Sequence, residues 1–206
     1  MNSYFVIIAR YTASFILKIM GIKVAGELPH RLKKFVLIAA PHTANRDFIV
    51  ALGWLKIEGI VPMFVGKESL FYWPYGWFFR WLGGIPDNRY RKAKGEKTDS
   101  IVETVIEAFQ ERENMAFGIA PEGTRKLVKQ WKLGFYHIAV GANVPIVIAC
   151  FDYGRKEARI VGVFQPTGDI AVDMPVIMSY YKGVKGYRHE QFSVDERWET
   201  AADLRM

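Results

Sequence analysis

A single cysteine, Cys150, stands in 206 residues. It cannot close a disulfide within the chain and rules out a cysteine-based zinc cluster. A reducing, cytoplasmic compartment fits. Histidine is sparse as well. His30, His42, His137 and His189 are scattered, none in the H-E-x-x-H spacing of a helix-borne zinc site, so no metal site is expected. Also missing is an apolar run able to cross a bilayer. The longest uncharged stretch, Leu133 to Phe151, is broken by Gly141, Asn143 and Pro145, and the apolar N-terminal segment is interrupted by Arg10 and Lys18. No basic stretch precedes that segment and no small-x-small cleavage site follows it, as a signal peptide would require. With no internal repeat and no low-complexity linker, a single domain over residues 1–206 is expected.

Half of the residues are hydrophobic and 15% are aromatic, enough to exclude disorder and to build one sizeable core. The formal net charge is +7. A basic surface attracts nucleic acid, anionic membrane or an acidic substrate. The aromatics tilt the choice. The run from Leu70 to Trp81, with Trp73, Trp77 and Trp81 among its rings, is far more apolar than a nucleic-acid groove needs. It reads as a membrane-interface patch, where Trp and Tyr sit at headgroup level. No recognised nucleic-acid-binding motif is present, so a membrane surface is the expected partner and nucleic acid is not.

Residues 3–20 carry Phe5, Ile8, Thr12, Phe15, Ile16 and Ile19 at helical spacing. The helix has two readings, packed on the core or lying on a membrane, and each can hold for a different face. Phe35 to Ala40 is a short apolar run that reads as a buried strand, with a helix following from near Asn45. Further strands are expected at Ile60–Val65, Met115–Ala120, Val144–Ala149 and Ile160–Phe164. Helices are expected over 98–112, with Asp99 or Thr98 as cap, and over Gly134–Val140. Strands alternating with helices imply an α/β fold: a mostly parallel central sheet covered by helices on both faces, preceded by the N-terminal helix. The core should run over 35–165, with 1–22 facing a membrane. Arg89 to Asp99 reads as a charged loop, and 189–206 as a polar tail.

Four constellations bear on chemistry. In Pro41-His42-Thr43-Ala44-Asn45-Arg46-Asp47, a histidine base and a supporting carboxylate are five residues apart. On one continuous helix they would lie about 140° apart. His42 therefore belongs in the turn after the strand, Thr43 or Asn45 at the helix cap, and Asp47 in the first turn reaching back. The alternative is a capped helix start preceded by a turn histidine, with no chemistry. Pro121-Glu122-Gly123-Thr124-Arg125 directly follows a buried strand, where α/β sheets place ligands. Gly123 permits close backbone approach, Thr124 offers a hydroxyl and Arg125 a fork for phosphate. The alternative is an ordinary polar loop. Gly83 to Arg89 supplies a second loop arginine, or only a Gly-Pro turn. Val144-Pro145-Ile146-Val147 says only that a strand is buried. Cys150 and His137 read as core residues, and Lys67 and Lys132 as solvated or phosphate-steering.

In this order the four segments resemble the glycerophospholipid acyltransferase family, which includes lysophosphatidic acid acyltransferases. The His-x4-Asp motif is matched by His42 and Asp47, the glycine-rich turn ending in arginine by Gly83 to Arg89. Glu-Gly-Thr-Arg is matched letter for letter at 122–125, and the apolar segment around proline by Val144 to Val147. The pattern departs at Arg46, where many relatives have an aromatic or small residue, and at Asp87-Asn88. The resemblance implies an O-acyltransferase with no bound cofactor. Its acyl donor is acyl-CoA or an acyl carrier protein thioester, and its acceptor a lysophospholipid such as 1-acyl-glycerol-3-phosphate. His42 would act as general base with Asp47 holding its ring. Arg89 and Arg125 would clamp the acceptor phosphate, and Glu122 would orient Arg125, a backbone amide or the acceptor hydroxyl. The enzyme would sit peripherally on the cytoplasmic membrane. Another lysolipid or an amino-lipid as acceptor, or a non-catalytic membrane module, are the competing expectations.

Overall fold

The computed structural model describes residues 3–26, 32–57, 60, 62–86 and 100–198, the side chains of 3–10 and of 56 excepted. Seven strands form one sheet in the order β1-β7-β6-β2-β5-β3-β4. They are β1 Lys23–Ala25, β2 Lys34–Ala40, β3 Met63–Gly66, β4 Gly84–Pro86, β5 Met115–Ile119, β6 Ile146–Asp152 and β7 Glu157–Phe164. From β6 through β4 all neighbours are parallel, while the β6–β7 hairpin turns the chain back so that β7 and β1 run the other way. The expected mostly parallel α/β sheet is the one observed.

Alternation along β2 sorts the core into two layers, because successive side chains of a strand point to opposite faces. Val36, Ile38 and Ala40 face α4 (Ile101–Glu111), α5 (Gly134–Ala142) and α6 (Ile170–Ser179), meeting Val105, Phe109, Phe135, Ile138, Met174 and Ile177. Phe35 and Leu37 face α1 (Ser3–Ile19) and α2 (Asn45–Ile57), meeting Leu17, Val50, Trp54 and Leu55. Helices thus cover both faces.

Several boundaries differ from expectation. The helix expected over 98–112 starts at Ile101, and Ser100 caps it. The Ser100 hydroxyl accepts from Val102 N at 3.3 Å, and Ser100 N donates to the Glu103 carboxylate at 3.1 Å, a reciprocal pair that satisfies two end groups. Thr98 and Asp99 lie outside the described residues, as do the loop 89–99 and residues 199–206. The segment read as a Gly-Pro turn holds β4 at its start, and Gly83 takes φ +91 with Pro62 O where a Cβ would sit. Asn143, in the left-handed region at φ 52, ends α5. β1, β4, α6 and the short helix α3 (Gly76–Trp81) were not expected from pattern. The first two are three residues long, and the apolar residues of α6 show little periodicity.

Residues 189–198 fold back on the domain. Buried Asp195 accepts from Trp131 N at 2.8 Å and pairs with Arg197 at 2.6 Å, while Arg197 also donates to Trp131 O at 2.8 Å. Burial opposes the charge of Asp195, but the hydrogen bonds from Arg197 and Trp131 outweigh it and hold its carboxyl below the usual range. This clasp anchors the far end of the loop that carries residues 122–125.

Candidate active site

β6, β2 and β5 are adjacent and parallel, so the segments leaving their carboxyl ends emerge side by side. After β2 come Pro41 to Ala44 and the start of α2. After β5 come Pro121 to Arg125, and after β6 comes Tyr153. His42, Asp47, Glu122 and Arg125 are brought together here.

Asp47 is fully buried in the first turn of α2. Its Oδ2 accepts from Thr43 N and Ala44 N, both at 2.7 Å, and its Oδ1 accepts from Tyr153 OH at 2.5 Å. The carboxylate therefore folds the His42 loop back over the helix end, where the helix dipole also favours it. His42 Nδ1 lies 3.8 Å from Oδ2, within ion-pair range and beyond a hydrogen bond. With Nδ1 turned to Asp47, the opposite ring nitrogen is the one left for a substrate. Neither Thr43 nor Asn45 serves as the expected cap. The Thr43 hydroxyl accepts from Arg188 N at 3.1 Å, and the Asn45 side-chain oxygen accepts from Arg125.

Glu122 is buried, and one carboxyl oxygen accepts from His42 N at 2.6 Å. Of the three roles open to it, the structure shows the backbone amide. Burial pushes its pKa up to about 8; the His42 amide opposes this, and the nearby Asp47 charge adds to it. Glu122 thus carries a proton at neutral pH. Burial also lowers the pKa of His42, against the pull of Asp47 and with the help of Arg125, so its imidazole is neutral at pH 7.

Gly123 turns at φ +64, and a Cβ there would come within 2.8 Å of the Lys132 aliphatic chain. Lys132 thus lies across the Glu-Gly-Thr-Arg loop. Thr124 is exposed and accepts from Lys126 N at 3.4 Å. Arg89 lies outside the described residues, so of the two arginines expected to clamp phosphate only Arg125 is described. Cys150 is buried as expected, and burial lifts its thiol to about 11. His137 is exposed on α5 and is not a core residue. Among the described residues, no group of three or more His, Cys, Asp or Glu is placed to hold a metal ion.

Tyr153, Arg46 and Tyr187 were missed. Tyr153 follows a buried strand directly, the same signal that singled out Glu122. Nothing in the local pattern marks Tyr187, which reaches the site from beyond α6.

The Acyltransferase family model matches residues 21–151, well over half of the chain. The chain belongs to the Acyltransferase family. It is 28% identical over 171 residues to the 1-acyl-sn-glycerol-3-phosphate acyltransferase of Salmonella typhimurium, covering 79% of this chain and 66% of the relative. Against the enzyme of the same name from Escherichia coli (strain K12) it is 29% identical over 173 residues, with the same coverages. The chain thus spans just under two thirds of the length of these relatives. The family fold is also seen in the crystal structure of the 1-acyl-sn-glycerophosphate (LPA) acyltransferase PlsC from Thermotoga maritima. That structure aligns with a TM-score of 0.53 at 19% identity, over 81% of this chain and 71% of the other.

Proposed function

We propose that this chain transfers a fatty acyl group from a thioester, on coenzyme A or an acyl carrier protein, to the hydroxyl of 1-acyl-glycerol-3-phosphate. The observation that carries the reading is the cluster of His42, Asp47, Glu122 and Arg125 at the carboxyl ends of β2 and β5. The names of the relatives supply the acceptor class. The acceptor oxygen attacks the thioester carbonyl carbon while His42 takes its proton through the nitrogen away from Asp47. The carbon–sulfur bond then breaks, and the imidazolium returns the proton to the departing thiolate. Asp47 stabilises the imidazolium in between. Protonated Glu122 presents no negative charge to the acceptor phosphate, and Arg125, held by Asn45, offers it a guanidinium fork. Arg89 is assigned the second phosphate contact on the motif alone.

Thioester consumption across a panel of lysolipids tests this. The phosphomonoester acceptor should be used best, and Arg125→Ala should raise its apparent KM about tenfold or more, the scale of one charge-assisted contact, with donor KM little changed. Preference for a zwitterionic or amino-lipid acceptor, or equal damage to both KM values, would overturn the assignment.

No helix among the described residues is long and apolar enough to cross a membrane. Two surfaces suit peripheral attachment. Trp73 is 92% exposed, and Tyr72, Tyr75, Trp77 and Trp81 are exposed beside it around α3. On α1, Ala13 and Leu17 pack inward while Tyr11, Phe15 and Ile19 face outward. One face of that helix therefore packs on the core, and the other is left open to a membrane surface. We expect co-sedimentation with vesicles of anionic phospholipid at low salt, weakening as salt rises. Removing α1 would strip Leu17 from the core, so serine substitutions at Tyr11, Phe15 and Ile19, and alanines at Trp73, Trp77 and Trp81, are the cleaner tests. Full retention in the supernatant, or binding indifferent to both sets, would sink the attachment.

A further inference from the structure

We propose that Tyr153, backed by Arg46 and Tyr187, is a positioning residue that holds the Asp47 carboxylate in place beside His42. The inference rests on the reading of His42 as base and adds to it a residue outside the family's motifs. Asp47 Oδ2 is taken by Thr43 N and Ala44 N, and the imidazole stands 3.8 Å away without a hydrogen bond of its own. Nothing in the imidazole itself therefore fixes the tilt of the carboxylate. The remaining oxygen, Oδ1, is held by the Tyr153 hydroxyl at 2.5 Å, the shortest contact Asp47 makes. Burial first, and the neighbouring Asp47 second, hold the phenol protonated far above its ordinary range, so it stays a donor throughout the working pH.

Tyr153 is itself well fixed. Its backbone N donates to Lys185 O at 2.8 Å, and its ring meets that of Tyr187 edge-on with centroids 5.3 Å apart. The Arg46 guanidinium lies 4.4 Å from the Tyr187 ring centre and 5.3 Å from that of Tyr153, and donates to Met20 O at 3.3 Å. Consecutive residues of the first turn of α2, Arg46 and Asp47, thus grip the same tyrosine from two sides. Among the described residues, the charged and titratable groups facing His42 and Asp47 are Glu122 and Arg125 from the loop after β5 and Tyr153 from the end of β6, with Arg46 of α2 facing Tyr153.

Tyr153→Phe removes one oxygen and keeps the ring under Arg46, so the fold should hold. In the full chain we expect kcat to fall about tenfold or more, the scale of a hydrogen bond to a charged group expressed as a rate, with acceptor KM unchanged. Without the donor the carboxylate pulls harder on an imidazolium, so the acid limb of the kcat profile should move to higher pH. In an Asp47→Asn background the same change should cost nothing further, because the two act as one unit. Wild-type kcat with an unmoved profile would overturn the proposal, as would an undiminished loss in the Asp47→Asn background or a rise in acceptor KM alone. If Asp47→Asn itself keeps full turnover, the His42–Asp47 reading fails and the proposal with it. If Asp47→Asn is crippled and Tyr153→Phe is not, the proposal alone falls.

Discussion

His42→Ala should lower kcat by about 10²–10⁴-fold, the range that a positioned general base contributes, while the melting temperature barely moves. The fold is spared because the contact with Glu122 runs through the His42 backbone amide, which alanine keeps. The side chain itself is 26% exposed and fills no part of either core layer. The same histidine sets one side of the pH profile. Its lowered pKa means that the neutral, proton-accepting ring persists to lower pH than an exposed histidine would allow, so the acid limb of kcat/KM should fall below the ordinary imidazole range. On the other side, Glu122 gives up its proton near pH 8, placing a second negative charge next to Asp47 and the acceptor phosphate, and activity should decline there. A folded His42→Ala protein with near-wild-type turnover would end the base assignment. So would an acid limb above that of free histidine with the alanine variant still active.

Asp47→Asn should cost about 10²-fold or more in kcat with little loss of stability, and Asp47→Ala should lose both. The difference follows from the three donors that meet this side chain. Asparagine can keep its amide oxygen toward Thr43 N and Ala44 N and turn its NH2 to the Tyr153 hydroxyl oxygen, since that hydroxyl can rotate to accept. What it cannot supply is the charge that stabilises the imidazolium. Alanine leaves two backbone amides and a phenol facing an empty buried space, at about 1–3 kcal/mol for each unsatisfied group. Steady-state kinetics beside urea melts of both variants separate the roles. Equal instability of the two, or an asparagine variant as fast as wild type, would mean that Asp47 is only a helix-capping residue.

The layers of this fold were legible because they rest on apolar runs and on helical periodicity. The unbroken apolar run Phe35–Ala40 declares a strand buried on both faces, and the apolar face of α4 declares its inner side. The chemistry was legible where it sits at strand ends within a few residues: His42 and Asp47 on one loop, Glu122 and Arg125 on the next. What lies in three dimensions alone was not. Tyr153 and Tyr187 are 34 residues apart in the chain and meet Arg46 only because β7, α6 and the following turn bring the backbone round to the mouth of β2. The burial of Asp195 was hidden for the same reason, since a segment rich in charge reads as solvated until its partner Arg197 and the amide of Trp131 are seen to enclose it. His137 erred the other way: its neighbours in the chain are apolar, but its place on α5 points outward.

The two outermost described strands, β1 and β4, are three residues each, while the seven- and eight-residue strands β2, β6 and β7 lie inside the sheet with both edges paired. Among the described residues, the sheet of this half-hydrophobic chain therefore offers a second copy little backbone ladder to extend. The exposed apolar surface of the described residues lies instead in side chains, above all the tryptophans around α3. In the proposed membrane attachment, contact through those rings would be reversible and exchangeable for lipid, whereas strand addition would not be. Short margins of the described sheet thus limit strand addition beside an exposed aromatic surface.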